Sequence, residues 1–274
     1  MSFCGFCKDS KEQLKSCVCK KVSYCGKECQ TKDWKSHKPS CPLCIIRESP
    51  GKGRGLFATR KINEGQVIFY HSTTISQSQM NHSCVSNTTL NYVNGDTTRK
   101  EFRATMVIEK DEEIVINYVV PIKAEFNYGS RELRRQELLE TVMGVPGFLC
   151  SCSECSLEGK ALEENERMRA EIREKSAEIR ELLSCQGSLS RRSTEKLMSL
   201  ALEKLDLVEK LNIRLMFVTE MVNVYVAASR AQKMGITAPD PNIFRQKALD
   251  YAKKCGECSL NYCNLQLAYY EKGK

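Results

Sequence analysis

The fold of this chain is decided first by a cysteine-rich stretch, CGFCKDSKEQLKSCVCKKVSYCGKECQTKDWKSHKPSC, at residues 4–41. Thiolate and imidazole groups at short, regular gaps are typical of tetrahedral zinc sites, and eight such ligands fill two sites. A bound zinc supplies on the order of 10 kcal/mol to folding, so a stretch this poor in apolar residues should unfold without metal. The eight ligands are Cys4, Cys7, Cys17, Cys19, Cys25, Cys29, His37 and Cys41.

A second cysteine group, Cys150, Cys152 and Cys155, is one ligand short of a tetrahedral site. Cys84, within Asn81-His82-Ser83-Cys84, is the candidate for the fourth ligand, which makes three zinc ions in all. Three further cysteines, Cys255, Cys258 and Cys263, lack an obvious fourth partner and are interpreted as half-buried helix residues. Cys44 and Cys185 receive no function.

The charge of the chain gives only weak support to a nucleic-acid partner. The formal net charge is +8, from 42 basic and 34 acidic residues. Zinc-bound thiols are deprotonated, so three occupied sites would lower this value to about +3. A lysine-rich face in the first module could touch nucleic acid or could be ordinary solvated surface; it comprises Lys8, Lys11, Lys15, Lys20 and Lys21.

The rest of the sequence predicts an α+β protein in three parts, at residues 1–46, 47–155 and 156–274. Strand patterns occupy residues 55–120, including Leu90–Val93 before an Asn94-Gly95 hairpin turn. Residues 161–272 predict about four helices, with Asn242 capping the last one. One apolar helix face is spaced by three or four residues: Leu197, Ala201, Leu205, Val208, Leu211 and Leu215.

No uncharged apolar run reaches the length that a membrane span needs, since Leu215 to Ala228 is interrupted by Glu220. The sequence also enters the zinc module without an apolar leader. We therefore expect a monomeric protein without a membrane association, found in the cytoplasm and the nucleus, where thiols stay reduced.

Residues 4–41 resemble a MYND finger, including Tyr24 before Cys25 and Trp34 before His37. The ligands interleave in that family, which implies one zinc on Cys4, Cys7, Cys25 and Cys29 and another on Cys17, Cys19, His37 and Cys41. The family also implies binding of short proline-containing peptides. Cys17-Val18-Cys19 is one residue shorter than the usual pair, which tightens the second site.

Four later segments resemble the SET domain of protein-lysine methyltransferases, in the order of that family. They are Gly53-Arg54-Gly55-Leu56-Phe57-Ala58, the segment from Asn81 to Asn87, the segment from Asp111 to Tyr118, and a post-SET zinc loop from Phe148 to Cys155. Together with the MYND finger and the helical tail, they resemble the SET-and-MYND-domain family. That resemblance implies a tetratricopeptide-like helical bundle at the C-terminal end, packed against the SET region.

The resemblance implies methyl transfer from S-adenosylmethionine to lysines of histones or other proteins. Tyr118 would be the catalytic residue that closes the lysine channel. The cofactor-binding residues would be Lys52, Gly53, Arg54, Asn81, His82 and Phe148, with Asn81 and His82 acting through backbone and side-chain hydrogen bonds. Simpler interpretations stay open: Tyr118, His82 and Phe148 as core residues, and Lys52 and Arg54 as surface charges.

This chain departs from the SET pattern at several places. Ser86 replaces a usual proline, Asp111 replaces a usual glycine, and the MYND finger precedes the glycine loop. Only residues 70–80 separate Phe69 from Asn81, where the family has several strands and an inserted helical segment. The sequence therefore indicates a shortened or divergent member, and the alternative function is a catalytically silent adaptor that binds partners through the finger and the helical tail.

Overall fold

The computed structural model describes residues 3–9, 13–17, 19, 21–71, 77–93, 96–119, 124–140, 147–184 and 189–272. Four sequence expectations involve positions outside these ranges, namely Lys11, Lys20, the Asn94-Gly95 turn and Cys185. The side chain of Cys258 is also outside the described part. Over the described residues the α+β prediction is confirmed: small sheets lie between a cysteine-rich N-terminal module and a C-terminal helical region.

The N-terminal module is built from a short hairpin and one helix. Strands β1 (Lys15–Ser16) and β2 (Ser23–Tyr24) pair antiparallel, and helix α1 (Lys27–His37) runs into a 3-10 turn, Lys38–Ser40. Tyr24 is buried and its hydroxyl donates to Asp33 at 2.7 Å, which ties the hairpin to the helix. Burial of this phenol, together with the Asp33 carboxylate, raises the pKa of Tyr24 well above its usual value. The small core of this module consists mainly of the cysteines themselves.

Seven strands form the central β-region, and their bounds are β3 (Cys44–Ser49), β4 (Gly53–Ala58), β5 (Val67–Tyr70), β6 (Asn81–His82), β7 (Thr88–Val93), β8 (Asp96–Ala104) and β9 (Glu113–Ile116). One sheet has the order β3-β4-β9-β6, in which only the β6–β9 pair is parallel. The other has the order β5-β8-β7 and is antiparallel. Strand β3 was not expected from the sequence. The domain boundary that was predicted at residue 46 therefore lies inside this paired strand.

The parallel pairing of β6 with β9 brings two distant segments to one edge of the sheet. Asn81 lies opposite Val115 and His82 lies opposite Ile116. Beyond β9, Tyr118 therefore follows the strand at the same edge as His82. The turn before β9 needs a positive φ, and Asp111 supplies it at 69°. Its carboxylate accepts from Arg47 at 3.0 Å, so the replacement of glycine at this position is accommodated.

Helices dominate the remainder of the chain, with bounds α2 (Arg131–Leu139), α3 (Gly159–Ser184), α4 (Arg191–Lys210), α5 (Phe217–Lys233), α6 (Pro241–Cys255) and α7 (Glu257–Lys272). The predicted apolar face is buried from Leu197 to Leu211, whereas Leu215 lies in a separate 3-10 turn and is only half-buried. None of the described helices combines the length and apolar character that crossing a bilayer would require.

Two expectations about the helical tail are wrong. Asp240, rather than Asn242, caps the helix that follows residue 240, and its side chain accepts from the Asn242 N–H at 2.9 Å. The segment up to residue 270 is not one helix, because Gly256 interrupts it with a φ of 114°. The described part of residues 159–272 therefore holds five α-helices rather than about four. The tetratricopeptide-like arrangement stays a prediction.

The helical tail packs against the β-region at this interruption. The Asn91 amide donates to the Cys255 carbonyl at 2.5 Å, and the Tyr251 hydroxyl donates to the Thr105 carbonyl at 3.3 Å. Lys254 forms an ion pair with Glu64 at 2.9 Å. A side chain at position 256 would overlap Asn91, so the glycine lets helix and strand approach closely. Cys255 and Cys263 lie in helices, as interpreted from the sequence, but they are buried in the helical core rather than half-buried.

Candidate active site and metal centres

The structure brings together the three predicted ligand sets as three separate clusters. They are Cys4, Cys7, Cys25 and Cys29; Cys17, Cys19, His37 and Cys41; and Cys84, Cys150, Cys152 and Cys155. Within each cluster the ligand atoms all lie within 4.8 Å of one another. The interleaved pairing implied by the MYND resemblance is the arrangement found in space.

The distances within these clusters fit tetrahedral zinc. Zinc–sulfur bonds of about 2.3 Å place two sulfurs of a tetrahedron about 3.8 Å apart. The observed Sγ–Sγ distances include 3.7 Å for Cys7–Cys25, 3.9 Å for Cys17–Cys41 and 3.6 Å for Cys84–Cys155. His37 Nε2 lies 3.3 Å from Cys17 Sγ, close to the edge of about 3.6 Å expected for a mixed nitrogen–sulfur site. The donor sets thus match zinc in both geometry and chemistry.

The surroundings of Cys4 in the first cluster favour the thiolate form that zinc requires. Burial opposes ionisation of Cys4, but backbone N–H groups of Cys25, Cys7 and Phe6 lower the pKa of this thiol to about 6. The Cys25 N–H lies 3.5 Å from the Cys4 sulfur. A low thiol pKa reduces the free energy needed to release the proton when the metal binds.

A buried arginine lies behind the third cluster. Arg134 on α2 is fully buried, and its Nη2 is 3.9 Å from Cys155 Sγ. A four-cysteine zinc site carries about −2, so this guanidinium offsets part of the charge. Next to it, Arg169 pairs with Glu154 at 2.9 Å and links the zinc loop to α3. Arg134 was not identified from the sequence. Its place on the helix just before the cysteine loop could have indicated that it lies next to the cluster.

Several predicted site residues line one cavity of about 320 Å³ beside the third cluster. Its lining includes Gly51, Lys52, Asn81, His82, Tyr118, Phe148, Leu149, Cys150 and Ser151. Phe148 packs edge-on against the rings of His82 and Tyr118, with centroid distances of 5.8 and 6.1 Å. Gly53 and Arg54 lie outside this lining. Arg54 is exposed, and its carbonyl accepts from the Asn81 amide at 3.3 Å.

Both ring nitrogens of His82 have partners within the protein. Nδ1 accepts from the Tyr118 backbone N–H at 3.2 Å, so the proton lies on Nε2, which is 3.4 Å from Cys84 Sγ. Burial lowers the pKa of His82 to about 4, which keeps the ring neutral at pH 7. The expected side-chain hydrogen bonds from His82 to a cofactor therefore do not fit this geometry. The imidazole instead connects a zinc ligand to Tyr118.

The Tyr118 side chain is held in place by its hydroxyl. That hydroxyl donates to the Met80 carbonyl at 2.5 Å, and the residue is only 8% exposed. Burial, with a smaller contribution from Glu113, raises the pKa of Tyr118 above its usual value. The phenol is thus protonated near neutral pH. With its proton directed at Met80, its oxygen has lone pairs available to accept a hydrogen bond.

Glu113 holds two residues that line the opposite side of the cavity, and this role was not identified from the sequence. It accepts from the Asn81 amide at 2.7 Å and lies 3.5 Å from the Lys52 ammonium. A Cβ on Gly55 would come within 2.3 Å of this carboxylate, so a larger residue there would displace the Glu113 side chain. The only indication in the sequence was its place in the alternating pattern of β9, which puts it on the same side of the strand as Val115 and Asn117.

Family models match two parts of this chain. The model of the MYND finger matches residues 4–41, and the model of the SET domain matches residues 71–119. The second match includes Asn81, His82, Cys84 and Tyr118. Residues 4–41 are therefore similar to MYND fingers and residues 71–119 to SET domains, in agreement with the sequence motifs.

Two known proteins share limited parts of this chain. SET domain-containing protein 14 of Caenorhabditis elegans is 46% identical over 41 residues, which is 15% of this chain and 10% of that protein. The chain thus matches about a tenth of the length of this relative. A crystal structure of a Plasmodium falciparum protein, assigned provisionally as a histone methyltransferase, is 19% identical and overlaps with a TM-score of 0.22. That overlap covers 28% of this chain and 93% of the Plasmodium chain.

Proposed function

We propose that this chain, which joins a MYND finger to a SET domain, is an S-adenosylmethionine-dependent protein-lysine N-methyltransferase. Histone tails or lysines of other proteins are the proposed substrates, in the cytoplasm and the nucleus. The observation that supports this most directly is the shared cavity of Lys52, Tyr118 and Phe148 beside the third cysteine cluster. The SET-domain match over residues 71–119 supports the same reaction class.

The residues around the cavity suit this cofactor in chemical type. Lys52 offers a cation for a carboxylate, and Glu113 holds its ammonium at 3.5 Å. Phe148 offers an aromatic ring for adenine, and its N–H is fixed by the Leu138 carbonyl at 2.9 Å. Asn81 has its amide N–H₂ occupied by Glu113 and Arg54, so this side chain has no free amide donor for the cofactor. Bound S-adenosylmethionine would supply an electrophilic methyl group.

The chemistry requires a neutral lysine amine. With a free pKa near 10.4, about one lysine in a thousand is neutral near pH 7.4, which costs about 4 kcal/mol. A dry channel lowers this cost, since desolvation disfavours the ammonium form. Tyr118 would then orient the amine, because its oxygen can accept an N–H while its own hydroxyl proton is donated to the Met80 carbonyl. His82 fixes the position of Tyr118 relative to the zinc loop, because its ring contacts both the Tyr118 N–H and Cys84.

The alternative is a catalytically silent adaptor whose MYND finger binds proline-containing peptides. Two observations favour it. The connection between β5 and β6 is short, at residues 71–80, where the family has an inserted segment. In addition, the Tyr118 hydroxyl already has a partner in the Met80 carbonyl.

Calorimetric titration of the zinc-loaded protein with S-adenosylmethionine tests the proposal. Stoichiometric binding, followed by transfer of a labelled methyl group to lysine-containing protein substrates, would support the methyltransferase. Absence of binding by a folded protein with three zinc ions would reject it and would favour the adaptor.

A further inference from the structure

A second and larger cavity, of about 700 Å³, lies outside the cofactor cavity. It is enclosed by the 3-10 turn Ala124–Tyr128 and by residues of α3, α4, α5 and α7. None of the described residues lines both cavities. The 3-10 turn separates them, since Phe126 packs against the His82 ring at 6.2 Å whereas Tyr128 lines the larger cavity. The larger cavity is therefore a distinct site.

A buried ion pair lies at the base of this cavity. Lys204 and Glu220 are 2.9 Å apart, and their side chains are 6% and 1% exposed. Such a pair is costly to desolvate unless further hydrogen bonds satisfy both partners. Glu220 is satisfied, because it also accepts from the Tyr128 hydroxyl at 2.8 Å and the Asn223 amide at 3.2 Å.

Lys204 is not satisfied to the same degree. An ammonium has three N–H donors, and the contacts that Lys204 makes with described residues are the Glu220 carboxylate and the face of the Tyr128 ring at 5.3 Å. The groups at the base of the cavity that can still form a hydrogen bond are therefore N–H donors. A ligand that contributes an acceptor would complete it.

Two arginines add positive charge nearer to the opening. Arg173 and Arg180 are seven residues apart on α3, so both lie on the same face of that helix. Arg173 donates through Nη1 to the Tyr128 carbonyl at 2.6 Å, which fixes its guanidinium at the wall of the cavity. Among the described residues that line this cavity, Glu220 is the only acidic one. Because Lys204 and Glu220 offset one another, the guanidinium of Arg173, which is bonded to a neutral carbonyl, gives this wall a positive charge that favours an anion.

The remaining walls determine the rest of the ligand. Ile179, Leu183, Met216 and Tyr269 present apolar and aromatic surface. Cavities of this size bind small organic molecules that pair an apolar body with a few fixed polar contacts. The Glu220 carboxylate next to Lys204 would repel a doubly charged phosphate. Its repulsion of a singly charged carboxylate would be weaker.

We propose that this cavity binds an amphipathic monocarboxylate, with its carboxylate between Lys204 and Arg173 and its apolar body against Ile179, Leu183 and Met216. The site is separate from the methyltransferase function proposed above. Its occupant would bridge the SET domain, through Tyr128, and the helical tail, through Lys204.

Calorimetric titration of the zinc-loaded full chain with octanoate, and with 1-octanol as its neutral analogue, tests this proposal. We expect one site for octanoate and an affinity at least about tenfold higher than for 1-octanol. Arg173→Gln should weaken octanoate binding by about fivefold or more, whereas Arg192→Gln, an exposed change on α4, should leave it unchanged. The double variant Lys204→Met/Glu220→Gln removes the pair without leaving one charge buried, and should abolish the preference for octanoate over 1-octanol.

Three results would overturn the proposal. Equal affinities for octanoate and 1-octanol would exclude recognition of the carboxylate. Unchanged octanoate affinity in Arg173→Gln would exclude this position for the anion. Displacement of octanoate by S-adenosylmethionine would show that octanoate binds in the cofactor cavity. If S-adenosylmethionine does not bind, the octanoate measurements still test this proposal by themselves.

Discussion

His82 Nδ1 accepts a hydrogen bond from the backbone N–H of Tyr118 at 3.2 Å, while the other ring nitrogen faces Cys84. The imidazole thereby couples the proposed catalytic residue to the third metal cluster. Hydrogen-bond partners of metal ligands often change metal affinity by about 10- to 100-fold when they are removed.

We predict that His82→Ala lowers the affinity of the third zinc site by about 10- to 100-fold and leaves the two MYND sites intact. The reason is that Cys84 loses the donor that orients its sulfur. Competition with a chromogenic chelator should then show two tight zinc ions and one weakened ion. His71→Ala is the matched control, because His71 is exposed and lies outside all three clusters. Equal loss of all three ions would contradict the assigned coupling.

Tyr118→Phe should reduce methyl transfer by at least about 100-fold, because the amine loses its orienting acceptor. Loss of one buried hydrogen bond to Met80 should cost only about 1 kcal/mol of unfolding free energy. Tyr70→Phe, at a residue that is 56% exposed, is the control. The measurement is turnover with labelled S-adenosylmethionine, together with thermal unfolding of each variant. Wild-type turnover in Tyr118→Phe would remove this residue from the mechanism.

The two basic residues of the glycine loop should differ in their effect on cofactor binding. Lys52 lines the cavity, whereas Arg54 lies outside it and is exposed. A charge-assisted hydrogen bond contributes about 1.5–3 kcal/mol, so Lys52→Met should weaken S-adenosylmethionine binding by roughly 10- to 100-fold. Arg54→Met should change it by less than about threefold. Calorimetry on both variants decides, and a larger loss in Arg54→Met would reverse the assignment.

Zinc content should separate ligand cysteines from the buried cysteine that has no metal role. Cys29→Ala should lose one zinc and destabilise residues 4–41, because a structural zinc contributes on the order of 10 kcal/mol. Cys44→Ala should retain three zinc ions, since Cys44 belongs to the core of the β-region. Elemental analysis gives the count, and hydrogen exchange locates the loss of structure. Three ions in Cys29→Ala would show that the first cluster is not a zinc site.

Gly256→Ala should weaken docking of the helical tail on the β-region. Position 256 has a φ of 114°, and an added Cβ would lie 2.6 Å from the Asn91 side chain. Strain and overlap together should lower the unfolding free energy by about 2 kcal/mol or more. Gly235→Ala isolates the backbone term, since its φ is 63° and its surroundings are open; it should lower the unfolding free energy by only about 1 kcal/mol. Equal unfolding midpoints for the two variants would argue against close packing at Gly256.

Much of this protein could be predicted from local spacing. The eight ligands of the MYND finger lie close together in the sequence, and the resemblance to that family implied the division into two sets that the structure shows. The helix face from Leu197 to Leu211 follows from helical periodicity and is buried as expected. The expected strand at Leu90–Val93 likewise lies within β7 (Thr88–Val93).

Other features depend on contacts between distant segments, which spacing does not encode. Glu113 meets Lys52 and Asn81 only because β9 pairs with β6 on one side and β4 on the other. The roles of the His82 nitrogens are decided by Tyr118 and Cys84, which the folded chain brings to either side of the ring. The break at Gly256 was missed because glycine within a helical pattern is ambiguous until the chain must turn against Asn91. The sequence by itself thus determined the ligands of the MYND finger and the order of the modules, since ligand spacing and apolar periodicity are local properties. The tertiary structure alone decided which charges and hydrogen-bonding groups meet, because those pairings arise only when the separate modules pack.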